Sequence, residues 1–171
     1  MQNIMRKHFR RDACHINFTG MIVGASIFVL IQVLLFFVVG LPVGSFHYFR
    51  GFLPLLPRWM YVLLGLLTRA ILGAALGAVL CDRRYACEIQ KYRGAFYFLL
   101  ATIAGYLCYV FFFGVGFFLV SFVLAAMELF GLLIAMLNFS RVIKLSAVFS
   151  ALGCLWAIYH CSLSFFSFFV V

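Results

Sequence analysis

Long apolar segments alternate with short polar ones along this chain of 171 residues. A membrane-spanning helix needs about 20 apolar residues, and the pattern contains five such segments. The apolar stretch from 94 to 140 is too long for one helix, and Gly114-Val115-Gly116 provides a break within it. The pattern predicts an all-α bundle of five transmembrane helices, with spans at residues 18–41, 59–81, 94–113, 117–139 and 145–166.

Composition places the chain among integral membrane proteins. Hydrophobic residues make up 67% of it and charged residues only 10%, and its mean hydropathy is +1.18. A soluble domain carries about 25% charged residues, so a water-soluble fold of this length would not bury so much apolar surface. We expect one membrane domain, residues 17–171, after a basic tail formed by residues 1–16.

The basic residues outside the spans predict the orientation. Ten of them lie in the N-terminal tail and the second and fourth loops, and two lie in the first loop. Because cytoplasmic loops are enriched in Lys and Arg, we expect the N-terminus inside and the C-terminus outside. No nucleic-acid-binding motif accompanies the charge. We therefore expect a lipid bilayer as its surroundings, in a bacterial cell membrane, and no nucleic-acid partner.

Arg69 is the one charged residue of the second apolar segment. An arginine at mid-membrane costs from about 3 to over 10 kcal/mol, so it faces the bundle interior and needs a partner. Gly65, Gly73 and Gly77 recur with it every four residues, which places all four on one stripe of the helix. Since small residues let membrane helices approach closely, we assign these glycines to helix packing.

Glu128 is the one acidic residue within a predicted span. Arg69 follows Trp59 by ten residues and Glu128 follows Phe117 by eleven. At the α-helical rise these offsets correspond to depths of about 15 and about 16 Å. The two opposite charges therefore predict an ion pair, made directly or through water or a ligand. The alternative is a structural lock without ligand contact.

His160 lies in the fifth segment, about one helical turn closer to the outer side, on one face with Trp156. It either joins the charge pair or is a core histidine with a satisfied hydrogen bond. The six cysteines, Cys108 among them, show no metal-ligand spacing. They are typical of small buried side chains, and we expect no metal site.

Three stretches resemble the tryptophan-rich sensory protein/translocator protein (TspO/MBR) family. The first, "HYFRGFLPLLPRWMYVLLGLLTRAILG", is similar to the family's proline-rich loop and second helix. Tyr48, Pro54, Pro57 and Trp59 stand at the loop's characteristic positions. The second, "FFFG", resembles the end of the third helix, and "KLSAVFSALGCLWAIYHCSLSF" resembles the fifth helix with its tryptophan at Trp156.

The resemblance implies a five-helix bundle whose first loop covers an internal pocket. Family members bind porphyrins, sterols or aromatic drug-like ligands there and often form homodimers. In this chain Gly65 and Arg69 replace aromatic residues of the family, which favours an acidic ligand. The expected ligand-binding residues are Tyr48, Pro54, Pro57, Trp59, Arg69, Cys108, Glu128, Trp156 and His160.

These observations favour a membrane receptor or sensor for a small hydrophobic or aromatic ligand. Two alternatives are the substrate-binding subunit of a small-molecule transporter and a structural membrane protein locked by its Arg–Glu pair. An enzyme is not expected, because the sequence has no metal cluster, nucleophile elbow or paired carboxylates. No cofactor is expected apart from a porphyrin bound as the ligand.

Overall fold

The computed structural model describes residues 17–40, 57–82 and 88–170. This part of the chain is helical, and five of its helices are long and apolar enough to cross a membrane. The predicted all-α membrane protein with five spans is therefore confirmed. The helices are α1 (Phe18–Val39), α2 (Arg58–Leu80), α3 (Glu88–Tyr109), α4 (Phe118–Phe139) and α5 (Lys144–Val170).

The break between the third and fourth spans takes the form of a short π-helix. Helix α3 continues into a π-helical segment at Val110–Val115, which ends at Gly116 in the left-handed region at φ 74°. Glycine adopts this conformation without steric cost. The predicted break at residues 114–116 coincides with the end of this segment.

Two helices extend beyond the predicted spans. Helix α3 begins at Glu88, before the predicted start at residue 94, and α5 ends at Val170, after the predicted end at 166. At the start of α3, hydropathy detects only the part of the helix that lies in hydrocarbon, whereas backbone hydrogen bonding continues into the polar end. The last residues of α5, 167–170, are mostly apolar and continue the helix beyond the length of about 20 residues that a span needs. Glu88 in the first turn also suits the positive end of the helix dipole.

The five helices form a ring in the order α1, α2, α5, α4, α3. Helices α3 and α1 close it, because the Tyr106 hydroxyl of α3 donates to the Phe28 carbonyl of α1 at 2.9 Å. Apolar side chains from all five helices fill the half of the bundle next to the α4–α5 connection, including Leu72, Leu132 and Phe139. This arrangement brings α2, α4 and α5 together around the polar centre described below.

Glycines set the contact between α1 and α2. A Cβ at Gly73 would overlap the backbone of Gly24, and a Cβ at Gly77 would overlap the backbone of Gly20. Small residues permit this close approach of two membrane helices. Gly73 and Gly77 thus pack against α1, whereas Gly65, which is on the same stripe but closer to the start of α2, faces Trp156 of α5.

Candidate functional site

Arg69 of α2 and Glu128 of α4 form a direct ion pair. Arg69 Nη1 lies 3.0 Å from Glu128 Oε1, and the two side chains are 2% and 1% exposed. The opposite charges expected at one depth thus meet without an intervening group. A pair of this kind lowers the cost of two charges that would each be expensive to bury alone.

His160 of α5 extends this pair into a chain of polar groups. Its Nε2 lies 2.7 Å from the Tyr61 hydroxyl, and its Nδ1 lies 3.8 Å from Glu128 Oε2. If the tyrosine hydroxyl donates to Nε2, the neutral imidazole carries its proton on Nδ1 and points it toward the carboxylate. The chain therefore runs from Tyr61 through His160 and Glu128 to Arg69.

One gap remains in this chain. Glu128 Oε2 and His160 Nδ1 are buried, and within the described part of the chain neither atom has a hydrogen-bond partner. Their separation of 3.8 Å is too long for a hydrogen bond. An unsatisfied polar atom in a buried site costs free energy. A small movement that closes this gap, or a proton added to it, would therefore stabilise the site.

Helix α3 shapes the other side of the pair. Gly105 lies against the Glu128 carboxylate, and a Cβ at this position would overlap it. Tyr106 lies beneath the arginine, with its ring centroid 4.5 Å from Arg69 Cζ. Such a cation–π contact stabilises a desolvated guanidinium by about 2 kcal/mol. A glycine and a tyrosine in succession thus accommodate the acid and the base.

A small cavity adjoins the chain of polar groups. The Tyr61 ring lies 5.2 Å from Trp156, centroid to centroid, and Trp156 lies 4.9 Å from the His160 ring. The centre of a water molecule can occupy about 10 Å³ of this cavity, which is room for about one water. Its lining combines four aromatic residues, three polar residues and a glycine: Gln32, Phe36, Tyr61, Gly65, Arg69, Tyr109, Trp156 and His160.

Cys108 belongs to a neighbouring polar cluster that joins three helices. Its thiol lies 3.1 Å from the Ser121 hydroxyl, which in turn lies 3.2 Å from Ser164. Hydrogen bonds between helices help to hold membrane bundles together. The structure thus places the predicted ligand residue Cys108 in an interhelical contact beside the site.

The residues predicted from the first loop are not brought to the cavity where the structure describes them. Pro57 is exposed at the start of α2, and Trp59 is 69% exposed on the outside of the bundle. Tyr48 and Pro54 lie outside the described residues. Of the predicted ligand residues, Arg69, Trp156 and His160 line the cavity, and Glu128 lies directly behind Arg69.

Several site residues were not anticipated from the sequence. Nothing in the sequence distinguishes Tyr61 from the other aromatic residue at the start of α2, and Gln32 is a single amide within the apolar α1. Gly105 is one small residue among several in its helix. The place of each of these residues depends on how its helix packs, so only the packing of the helices reveals it. In residues 17–40, 57–82 and 88–170 no group of His, Cys, Asp and Glu could hold a metal ion.

The fold and the site together define a class: a multi-pass membrane protein of five helices that encloses a charged cluster beside a small aromatic cavity. No protein-family model, no curated protein and no solved structure matches this chain.

Proposed function

We propose that the protein is a membrane receptor or sensor for a small ligand with an aromatic or hydrophobic body and an acidic group. The observation that carries the proposal is the buried Arg69, which lines an aromatic cavity inside the bundle. Charged groups within membrane spans are rare and usually functional. The resemblance to the tryptophan-rich sensory protein/translocator protein family points to the same kind of site and remains a prediction.

The chemistry of the cavity suits such a ligand. The bond to Glu128 uses one of the five N–H donors of Arg69, and guanidinium groups bind carboxylates through charge-assisted hydrogen bonds. Trp156, Tyr61 and Phe36 supply aromatic surface for the ligand body. Gly65 keeps the wall beside Trp156 open, because it adds no side chain there.

The location of the cavity suits entry from one end of the bundle. Phe36 lies near the end of α1 and Tyr61 near the start of α2, so the cavity lies near these two helix ends. We propose that this first loop covers the site and that it lies on the outer side, with the N-terminus inside. The basic residues of the tail and of the second and fourth loops support this orientation.

Ligand size is constrained by the packing. The cavity holds about one water molecule, so any larger ligand must displace aromatic side chains such as Phe36 and Trp156. Aromatic acids of one or two rings require the smallest displacement. Porphyrins and sterols require the helices to separate, and a porphyrin belongs in the test for that reason.

A structural lock is the second candidate function. The direct contact of 3.0 Å between Arg69 and Glu128 and their nearly complete burial favour it. In that case the pair fixes the register of α2 against α4, a role attested for some buried polar groups. The double variant Arg69→Met/Glu128→Gln separates the two candidates, because it removes both charges together and leaves no lone charge in the bundle.

The deciding experiment is a thermal-shift screen on the purified protein in detergent. The matched probes are naphthoate and its neutral amide, and protoporphyrin IX and its dimethyl ester. We expect an acid to raise the melting temperature more than its uncharged counterpart, and we expect the double variant to lose that difference. Equal shifts for charged and neutral probes, or an acid effect that survives in the double variant, would favour the structural lock.

A further inference from the structure

The charge count of the buried site sets a condition on what can bind there. Arg69 and Glu128 are the two charged residues within the spans that hydropathy predicts, and their charges cancel. An anionic ligand placed against Arg69 would leave the cluster with a net negative charge in a low-dielectric bundle. Burying an uncompensated charge is strongly unfavourable. A third group that gains a positive charge would restore neutrality.

His160 is placed to be that group. It lines the same cavity as Arg69, and its Nδ1 faces Glu128 Oε2 at 3.8 Å with neither atom hydrogen-bonded in the described part of the chain. Histidine is the side chain that gains a proton most readily near neutral pH. A charged imidazole would draw the two unsatisfied atoms together into a charge-assisted hydrogen bond.

We propose that the protein binds an anionic ligand together with one proton, which His160 takes up from water. This inference rests on the proposed function and adds a coupling between ligand and proton. Before binding the site holds one positive and one negative charge. Afterwards Arg69 and the imidazolium balance Glu128 and the ligand carboxylate, so both states are neutral.

Tyr61 links the proton to the ligand. In the neutral tautomer that carries its proton on Nδ1, His160 accepts a hydrogen bond at Nε2 from the Tyr61 hydroxyl across 2.7 Å. Once His160 is charged, both ring nitrogens are donors, so Nε2–H donates to the tyrosine oxygen. In that state the tyrosine oxygen accepts from the imidazolium, and its own O–H can point toward the cavity that the side chain lines, where a ligand carboxylate accepts it.

None of the other titratable groups described around His160 is expected to take up the proton in its place. Helix α2 presents Tyr61 and Arg69, and α4 presents Glu128. Helix α3 presents Cys108 and Tyr109, and α5 presents Tyr159, whose ring centroid lies 6.2 Å from that of His160. Helix α1 contributes the uncharged Gln32 to the cavity. Between about pH 6 and about pH 8 tyrosine and cysteine are ordinarily neutral and arginine is charged.

The test measures the affinity of naphthoate between about pH 6 and about pH 8, a range in which a simple carboxylic acid stays ionised. Uptake of one proton with the ligand makes Kd rise by about tenfold per pH unit where free His160 is neutral. The neutral amide should show no such slope. His160→Gln, which keeps a polar group of similar reach but cannot take up the proton, should bind naphthoate no more tightly than the wild type does at about pH 8, with a flat pH profile.

Calorimetry counts the proton without any variant. Titrations of the wild-type protein in two buffers with different heats of ionisation should give one proton taken up per naphthoate bound. A flat profile or a count of zero in the wild type would overturn the coupling while leaving the proposed function intact. A slope that persists in His160→Gln would also overturn it. Failure of every acidic probe to bind would overturn the proposed function and this inference with it.

Discussion

The carboxylate of Glu128 occupies the space that a side chain at Gly105 would fill. A Cβ on Gly105 would overlap the carboxyl carbon and both oxygens. Because Glu128 is fully buried, the carboxylate has no solvent to retreat into. A glycine of α3, which carries no chemistry itself, thus fixes the position of the acid that neutralises Arg69.

Replacement of this glycine gives the first prediction. We expect Gly105→Ala to displace the carboxylate from Arg69 and to lower the free energy of unfolding by about 1–3 kcal/mol, as overpacking of a core does. Unfolding by denaturant in detergent micelles measures the loss. Gly65→Ala is the matched control, because its Cβ would meet only Trp156 Cζ2 at 3.6 Å, an ordinary van der Waals contact.

A second variant identifies the cause of that loss. Glu128→Asp shortens the side chain by one methylene and withdraws the carboxylate from Gly105. If the overlap is responsible, the double variant Gly105→Ala/Glu128→Asp is less unstable than the sum of the two single changes predicts. Strict additivity, or equal losses for Gly105→Ala and Gly65→Ala, would contradict this explanation.

The charge pair gives the second prediction. Removal of one partner leaves the other charge buried and uncompensated, so Arg69→Met or Glu128→Gln alone should cost about 3–5 kcal/mol. The double change removes both charges and should recover much of that loss. Stability of the four proteins, measured under the same conditions, gives the coupling energy. Additive effects of the two single changes would show that the pair contributes no coupling.

The spans and the pairing of Arg69 with Glu128 could be predicted because both follow from one-dimensional quantities. Hydropathy and a fixed rise per residue are enough to place two charges at one depth. The role of Gly105 could not be predicted in this way. It depends on which residue of α3 faces Glu128, and that depends on the rotation of two helices about their axes.

The same limit applies to the glycine stripe of α2. Its period of four residues correctly indicated a single line of small residues, but not that the line is shared between two partners. Gly73 and Gly77 face α1, whereas Gly65 faces Trp156 of α5. The π-helix at Val110–Val115 likewise could not be predicted from the pattern of apolar residues, because an α-helix and a π-helix can have the same composition.

The contact between α1 and α2 gives the third prediction. A Cβ at Gly24 would overlap the Gly73 carbonyl, and a backbone atom cannot move aside as a flexible side chain can. We expect Gly24→Ala to separate the helices and to destabilise the bundle by about 1–3 kcal/mol. Gly40→Ala is not a suitable control, because Gly40 has a φ of 90°. Ser26→Thr, which adds one methyl group at an exposed position of the same helix, is the better comparison.

The orientation gives the fourth prediction. Five spans require the two termini to lie on opposite sides, and the distribution of basic residues predicts that the N-terminus lies inside. Reporter fusions that are active only in one compartment should therefore give opposite results at the two ends. The same result at both ends would contradict five crossings, and a reversed pattern would contradict the orientation alone.

The two tryptophans give the fifth prediction, since the chain contains only Trp59 and Trp156. Trp156 is 8% exposed and lines the cavity, whereas Trp59 is 69% exposed on the outer surface of the bundle. A ligand that displaces aromatic side chains should change the emission of Trp156 and leave that of Trp59 nearly unchanged.

Two variants separate the two emissions. Trp59→Phe leaves only the emission of Trp156, and Trp156→Phe leaves only that of Trp59. Titration of both variants with naphthoate, with binding measured independently by calorimetry, reads the two positions separately. A response from Trp59 alone would place the ligand at the start of α2 rather than beside Arg69.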